Sequence, residues 1–464
     1  MRRAMGECVM TYGTARECGD AVGSGQEPGQ EQSRTAARGR SVLISGASVA
    51  GPALAYWLGR YGFEVTVIEV APALRRGGFA VDFRGAAQLT VLERMGVLDA
   101  IRQHSTGGGD PLTFIDAQGR PLAALPPEFT GGEVEILRSD LSRILYEHSL
   151  TPHAPGPAPG GPGAPEHLPG RLPEYLFGDS IASLAQTADG VQVTFERNAP
   201  RTFDLVIGAD GLHSTVRRLA FGPERDFVRH LGYYVAAWDL PEDAGDLAAR
   251  PVGYGEPGRL VTVGRTPRRA GEPGYGGEAF CVFASEEEFA HDRRDPRTRK
   301  RAIARAFDGA GWRTPELLAT LGQAGELYFD SISRADVPRW STGRIALLGD
   351  AAHGATVGGM GTGSAVIGAY VLAGELALAG DDHRTAFVRY EDRLRPYVTQ
   401  CQEGGRGAGA FLAPATRDAM DARNAALNSP SAVAAMLQQG HDISAALALE
   451  DYPARSAAAV RARW

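Results

Sequence analysis

The stretch SVLISGASVAGPALAYWLGRYGFEVTVIE, residues 41–69, carries three patterns in succession. SVLIS (41–45) is an apolar run of strand length, AGPALAYWLGRYG repeats its apolar positions at helical spacing, and EVTVIE (64–69) alternates as a second strand. Between the first strand and the helix lies Gly46-Ala47-Ser48-Val49-Ala50-Gly51, a G-x-G-x-x-G pattern with Ser48 in place of the middle glycine. Gly46 permits the tight turn, and Gly51 lets the helix pack closely on the strand. The amides around Ser48, Val49 and Ala50 then face an anion such as a pyrophosphate. Serine is small enough for a phosphate to approach the backbone, and its hydroxyl can donate. Pro52 sits in the first helical turn, where its missing N–H costs little. Glu69 closes the second strand 23 residues after Gly46, where a carboxylate grips ribose hydroxyls. Strand, glycines, helix, strand and terminal Glu together point to a dinucleotide. The plainer alternative is a tight βα turn with a surface glutamate.

Two later stretches also end an apolar strand on an aspartate. In DLVIGADGLHSTVRR the strand stops at Asp210-Gly211, with Ser214 and Arg217 following. An Asp-Gly pair is an everyday turn, and Ser214 alone would suit a helix cap. In GRIALLGDAAHGATVGGMGTGSAV (343–366) the strand Ile345 to Leu348 stops at Gly349-Asp350, the mouth of an α/β sheet where ligands bind. Gly358, Gly359, Gly361 and Gly363 would let a flat ring lie against backbone, and a helix is expected from about Ser364, its positive end aimed at that ring. A glycine-rich loop with no ligand is the alternative.

The whole chain narrows the class. Its 464 residues allow two domains, and a formal charge of −7 gives no nucleic-acid footprint. Lys300 is the single lysine, on what reads as a solvated helix face, which argues against Schiff-base, P-loop and lysine-assisted chemistry. Cys8, Cys18, Cys281 and Cys401 form no C-x-x-C pair, as expected for a reducing cytoplasm. No apolar run approaches the ~18 residues of a membrane helix, and no signal peptide follows Met1-Arg2-Arg3.

Residues 1–40 lack hydrophobic periodicity and read as a disordered extension, and 151–173, rich in Pro and Gly, read as a surface loop insertion. The expected fold is α/β: a Rossmann-like domain assembled from 41–105, 134–221 and 335–400, with a β-sheet-rich substrate domain from 106–133 and 222–334. A C-terminal helical segment, 401–464, completes it.

In that order, GASVAG with Glu69, GADGLHSTVR, and GDAAH before a glycine-rich helix start resemble the single-component FAD-dependent monooxygenases of the para-hydroxybenzoate hydroxylase fold, tetracycline- and polyketide-hydroxylase members above all. The resemblance runs from about Ser41 to the end, apart from 151–173. It implies that Gly46, Ser48, Val49, Ala50 and Gly51 bind the FAD pyrophosphate, Glu69 its ribose and Asp350 its ribityl chain. Asp210 lines the path of FAD and nicotinamide, Arg138 contacts FAD from a helix start, and Gly361 and Gly363 lie along the ring. Arg76 (or its neighbour Arg75) and Asp82 meet flavin or NADPH. The chain departs from the family in lacking prolines after GDAAH, where Gly354-Ala355-Thr356-Val357 make a loop one residue short. His353 belongs to the motif, in a packing or capping role.

The resemblance further implies a reaction in which NADPH or NADH reduces FAD, O2 adds to give a flavin C4a-hydroperoxide, and an electron-rich aromatic or enol takes the distal oxygen. No second strand–glycine–helix unit occurs, so the nicotinamide visits transiently, and no catalytic residue or metal set is required. The substrate is expected to be an aromatic or polyketide-type small molecule lying against Tyr234, Trp238 and Phe283, with Tyr233, Phe280 and Phe329 as further candidates. No membrane or nucleic-acid partner is expected, and the state is monomer or homodimer. A halogenase would want W-x-W-x-I-P and a catalytic lysine. A geranylgeranyl-type reductase and a non-catalytic FAD-binding protein stay open.

Overall fold

The computed structural model describes residues 40–452, except 75–79, 107–109, 131, 153–170, 242–243, 245–246, 248–249, 268–274, 286–288, 290–294, 326 and 359. The expected extension (1–40) therefore lies almost wholly outside the described residues, as do Arg75, Arg76, Gly359 and most of the 151–173 insertion.

The opening stretch forms the strand Ser41–Ser45, the helix Ala50–Arg60 and the strand Glu64–Glu69. The two strands pair in parallel, and Leu205–Gly208 and Ile345–Leu347 continue the parallel array on the other side of Ser41–Ser45. Glu174–Phe177 extends it beyond Glu64–Glu69, and the short Ser341–Thr342 closes the opposite edge. The three strands that precede Gly46, Ala209-Asp210 and Gly349-Asp350 thus lie side by side, and their carboxyl ends share one rim. Val42, Leu43, Ile44, Val206, Ile207 and Leu347 are fully buried, as expected of a sheet covered on both faces.

A seven-stranded sheet lies apart from it: Leu327–Ala335, Val228–Leu240, Tyr275–Ala284, Arg259–Pro267, Val252–Glu256, Leu112–Ile115 and Pro121–Leu125, in that order. One face packs on the helices Pro296–Ala306 and Thr314–Thr320 through Tyr234, Trp238, Phe283, Ile303, Phe307 and Leu317. The other face packs through Phe114, Val235, Leu260, Val282 and Ile332 on Ala413 and Leu427 of the C-terminal segment.

The helix after the third motif begins at Gly361, three residues before the expected start, because Met360 takes a left-handed conformation (φ 51°) and breaks the chain there. Running to Ala379, it is long and apolar enough to cross a membrane, contrary to the sequence reading, yet most of it is buried within the fold. Its partners are the helices Ala50–Arg60 and His383–Gly405.

Candidate active site

Gly46 has φ 107°, and a Cβ there would stand 2.4 Å from the Ala209 carbonyl oxygen; a Cβ on Gly51 would stand 1.9 Å from that of Gly46. Only bare backbone lets the turn, the helix and the neighbouring strand close up in this way. Glu69 accepts from the Ala47 and Ala71 amides, both at 2.9 Å, which holds its carboxylate against the turn.

The other two strand ends complete the rim. Asp210 accepts from Ser45 Oγ (3.2 Å), Ser214 Oγ (2.5 Å) and the Val216 amide (3.1 Å). It therefore ties two strand ends to the helix Thr215–Ala220, while burial raises its carboxyl above the usual range. Ser214 caps that helix by accepting from the Arg217 amide, and the buried Arg217 donates to the Ala351 carbonyl at 2.9 Å, binding the second motif to the third. Asp350 follows Gly349 (φ 63°); burial raises its carboxyl and the Arg138 guanidinium pulls it back down. Arg138 opens the helix Arg138–Ser149, with its Nη2 3.5 Å from Ser48 Oγ. One guanidinium thus stands between the first and third motifs.

These groups line one cavity of about 2160 Å³, beyond the roughly 300–1,000 Å³ usual for a single small ligand. Gly46, Ser48, Val49, Ala50, Glu69, Asp82, Arg138, Asp210, Asp350 and Gly361 are all in its wall. The helices beginning at Ala50, Arg138 and Gly361 start at this wall, and none has a side-chain cap. Among the described helices five are capped, by Ser214, Asp295, Asp382, Thr416 and Ser429, and two of these, Thr215–Ala220 and Pro296–Ala306, also begin in the cavity wall. Three uncapped N-termini converging on one cavity supply amides and positive dipole ends for an anionic ligand. A glycine cradle, a carboxylate at the second strand end and these helix ends fit FAD.

Several expected contacts fall elsewhere. Gly363 is absent from the cavity wall: a Cβ there would meet the Gln88 amide carbon at 2.1 Å. Its bareness serves Gln88, which is buried, accepts from the Arg84 amide and donates to Tyr397. Asp82 lines the cavity but pairs with Arg84, whose guanidinium also donates to the Glu128 and Phe129 carbonyls. His353 is buried against Trp340, ring centroids 4.9 Å apart, and burial takes its imidazole down to about 3, so it packs as a neutral ring. Without prolines, the loop after it is stitched to the strand Leu327–Ala335. The Ala335 amide donates to Gly354, the Thr356 amide to Ser333, and Thr356 Oγ1 to the Ser331 carbonyl.

The substrate-side aromatics need correction. Tyr234 and Phe283 point to the helix-covered face of the large sheet, away from the cavity, as does Phe329. Trp238 belongs to the same buried cluster and reaches the cavity only at the end of its strand, its indole N–H donating to Thr320 Oγ1 at 2.9 Å. Side chains alternate along a strand, so the cavity receives the opposite parity: Ala237, Phe280, Tyr328 and Asp330. Phe129, Phe411 and Met436, from outside that sheet, add apolar surface. His213, one residue before Ser214, was not singled out from sequence, although GADGLHSTVR contains it; it also lines the cavity.

Comparison with known proteins agrees with this geometry. A family model described as an FAD binding domain matches residues 173–404. A flavin-dependent monooxygenase from an unidentified prokaryote is 34% identical over 393 residues, covering 83% of this chain and 94% of the relative. An uncharacterized protein of Mycobacterium tuberculosis is 40% identical over 373 residues, covering 78% and 92%. The crystal structure of tetracycline destructase Tet(55) superposes with a TM-score of 0.72 at 31% identity, covering 89% of this chain and 99% of that one.

Proposed function

Because this chain belongs to the FAD-dependent monooxygenases, we propose that it uses NADPH or NADH and O2 to hydroxylate an aromatic or polyketide-type small molecule. The observation that carries this reading is the shared cavity: a polar cradle on one side, an apolar sheet face on the other, and more room than one ligand needs. Bound FAD would supply the electron transfer and oxygen activation. Gly46, Ser48 and the three helix ends would face its anionic groups, Glu69 would hold a ribose and Asp350 the ribityl hydroxyls. Gly51 is bare to let the helix pack on the Gly46 turn and not to touch the ligand.

The protein's remaining work is to orient the substrate and exclude water. Phe280, Tyr328, Phe129, Phe411 and Met436 offer flat and flexible apolar surface for a planar ring system. The stitched Gly354–Gly358 loop, with Val357 in the cavity wall, holds the boundary between cradle and sheet face. The named similarity to a tetracycline destructase supports a multi-ring, hydroxylated substrate. Buried, free Cys281 and Cys401 suit a reducing compartment, and we place the enzyme in the cytoplasm as a monomer or homodimer.

The test is the visible spectrum of purified protein, followed by NADPH consumption in air with and without tetracycline as probe. A flavin spectrum with probe-stimulated NADPH loss supports the reading. Protein that cannot be loaded with FAD, or that is yellow and consumes no NADPH with any polycyclic phenol, contradicts it.

A further inference from the structure

His213 joins the two halves of the cavity. Its Nδ1 lies 3.1 Å from both oxygens of Glu224, in the short 3-10 turn Glu224–Asp226, and its Nε2 lies 3.2 Å from Asp330 Oδ1 on the strand Leu327–Ala335. An ionised carboxylate only accepts, so the two bonds coexist when both ring nitrogens carry hydrogen, that is, as an imidazolium. His213 and Asp330 line the cavity and Glu224 does not. Glu224 faces Arg217 Nη2 at 3.9 Å from behind, and Asp330 Oδ1 also accepts from the Ser331 amide. The field of this bridge reaches Asp350: Asp330 raises the Asp350 carboxyl and His213 lowers it, as smaller influences than burial and Arg138.

We propose that the Glu224–His213–Asp330 bridge is an electrostatic tuner of the flavin, with the His213 cation favouring the reduced cofactor and Asp330 opposing it. The inference rests on the FAD reading above. Two-electron reduction of FAD with uptake of one proton leaves one negative charge on the cofactor, the electrons coming from NAD(P)H in the reaction. A cation fixed in the cavity wall stabilises that charge, and a fixed carboxylate beside it destabilises it. Neither residue need touch the flavin, so both are positioning residues in the electrostatic sense. Glu224 accepts from the His213 Nδ1–H outside the cavity, and the amide oxygen introduced by Glu224→Gln can accept in its place, so that variant removes a negative charge while the imidazolium stays.

The experiment is dye-equilibrated reduction of the holoenzyme, comparing wild type with His213→Gln, Asp330→Asn, Glu224→Gln and the His213→Gln/Asp330→Asn double variant. His213→Gln leaves two carboxylates uncompensated, and its reduction constant should fall on the order of tenfold, about 30 mV for a two-electron couple. Asp330→Asn should raise it by a similar factor, Glu224→Gln should raise it less, and the double variant should lie between the two single variants. A structural disturbance alone would not move adjacent partners in opposite directions. Shifts of the same sign for His213→Gln and Asp330→Asn, or none, overturn the proposal while leaving the FAD reading intact. If His213→Gln does not retain FAD, the upward shifts of Asp330→Asn and Glu224→Gln, the former larger, decide it. Wild-type protein that binds no FAD overturns both.

Discussion

Replacing Gly363 with alanine separates two explanations for a glycine beside a cofactor. If the glycine is there for the flavin, alanine weakens FAD binding and spares the fold. The structure points the other way, since the new methyl would fall 2.1 Å from the Gln88 amide carbon. Gln88 is buried and cannot swing aside without giving up its bonds to the Arg84 amide (2.8 Å) and Tyr397 (3.1 Å). Two hydrogen bonds at about 1 kcal/mol each, plus about 1–3 kcal/mol for a buried polar group left unpaired, give a cost of roughly 3–5 kcal/mol. For a chain of this size that is a fall in melting temperature of about 3–5 °C. Thermal unfolding at fixed FAD concentration reads it, with Gln88→Ala as the second arm of a double-mutant cycle. In the Gln88→Ala background the methyl has room, and Gly363→Ala should come within a few tenths of a kcal/mol of neutral. An equal loss in both backgrounds, or weaker FAD binding at an unchanged melting temperature, would refute the assignment.

Three further outcomes follow from the same geometry. Arg138→Ala removes the guanidinium between Ser48 and Asp350, and FAD affinity should fall about 10- to 100-fold in apoprotein titrations, from the roughly 1.5–3 kcal/mol of a charged hydrogen bond. Asp350→Asn should act in opposite directions, raising the melting temperature of flavin-free protein at pH 7 because burial disfavours the ionised carboxyl, while weakening FAD binding. Burial, with Asp239 and Glu135 adding repulsion, lifts the Glu278 carboxyl from 4.5 to about 8. The folded state then holds a proton that the unfolded state loses above 4.5, so this group costs stability as pH rises through that window and no further above it. Glu278→Gln should therefore gain melting temperature relative to wild type between pH 5 and 8 and hold that gain at pH 9; a pH-independent difference would contradict this.

Much of the glycine turn at the sheet's carboxyl rim was legible in the sequence because it is written in local signals. Gly46, Gly51 and Glu69 stand at fixed offsets within one βα unit, and their spacing implies the turn that the structure contains. What was not legible depends on contacts between distant segments. Gly363 looked like a cofactor glycine because nothing local says that Gln88, 275 positions earlier, needs the space. The aromatic strands gave the period of two but not its phase, and a one-residue ambiguity exchanges Phe280 for Phe283. The bridge through His213 joins residues 213, 224 and 330 across two sheets, and no spacing in the sequence predicts it.

The most direct test of the central claim is the origin of the oxygen atom. Holoenzyme would be run with NADPH and tetracycline, or another polycyclic phenol that stimulates NADPH loss, under 18O2 in ordinary water. The product should be heavier by one oxygen atom, that atom carrying the label. Unlabelled product, a saturated alkene, or NADPH oxidation that yields only hydrogen peroxide with every such probe would contradict monooxygenation by this chain.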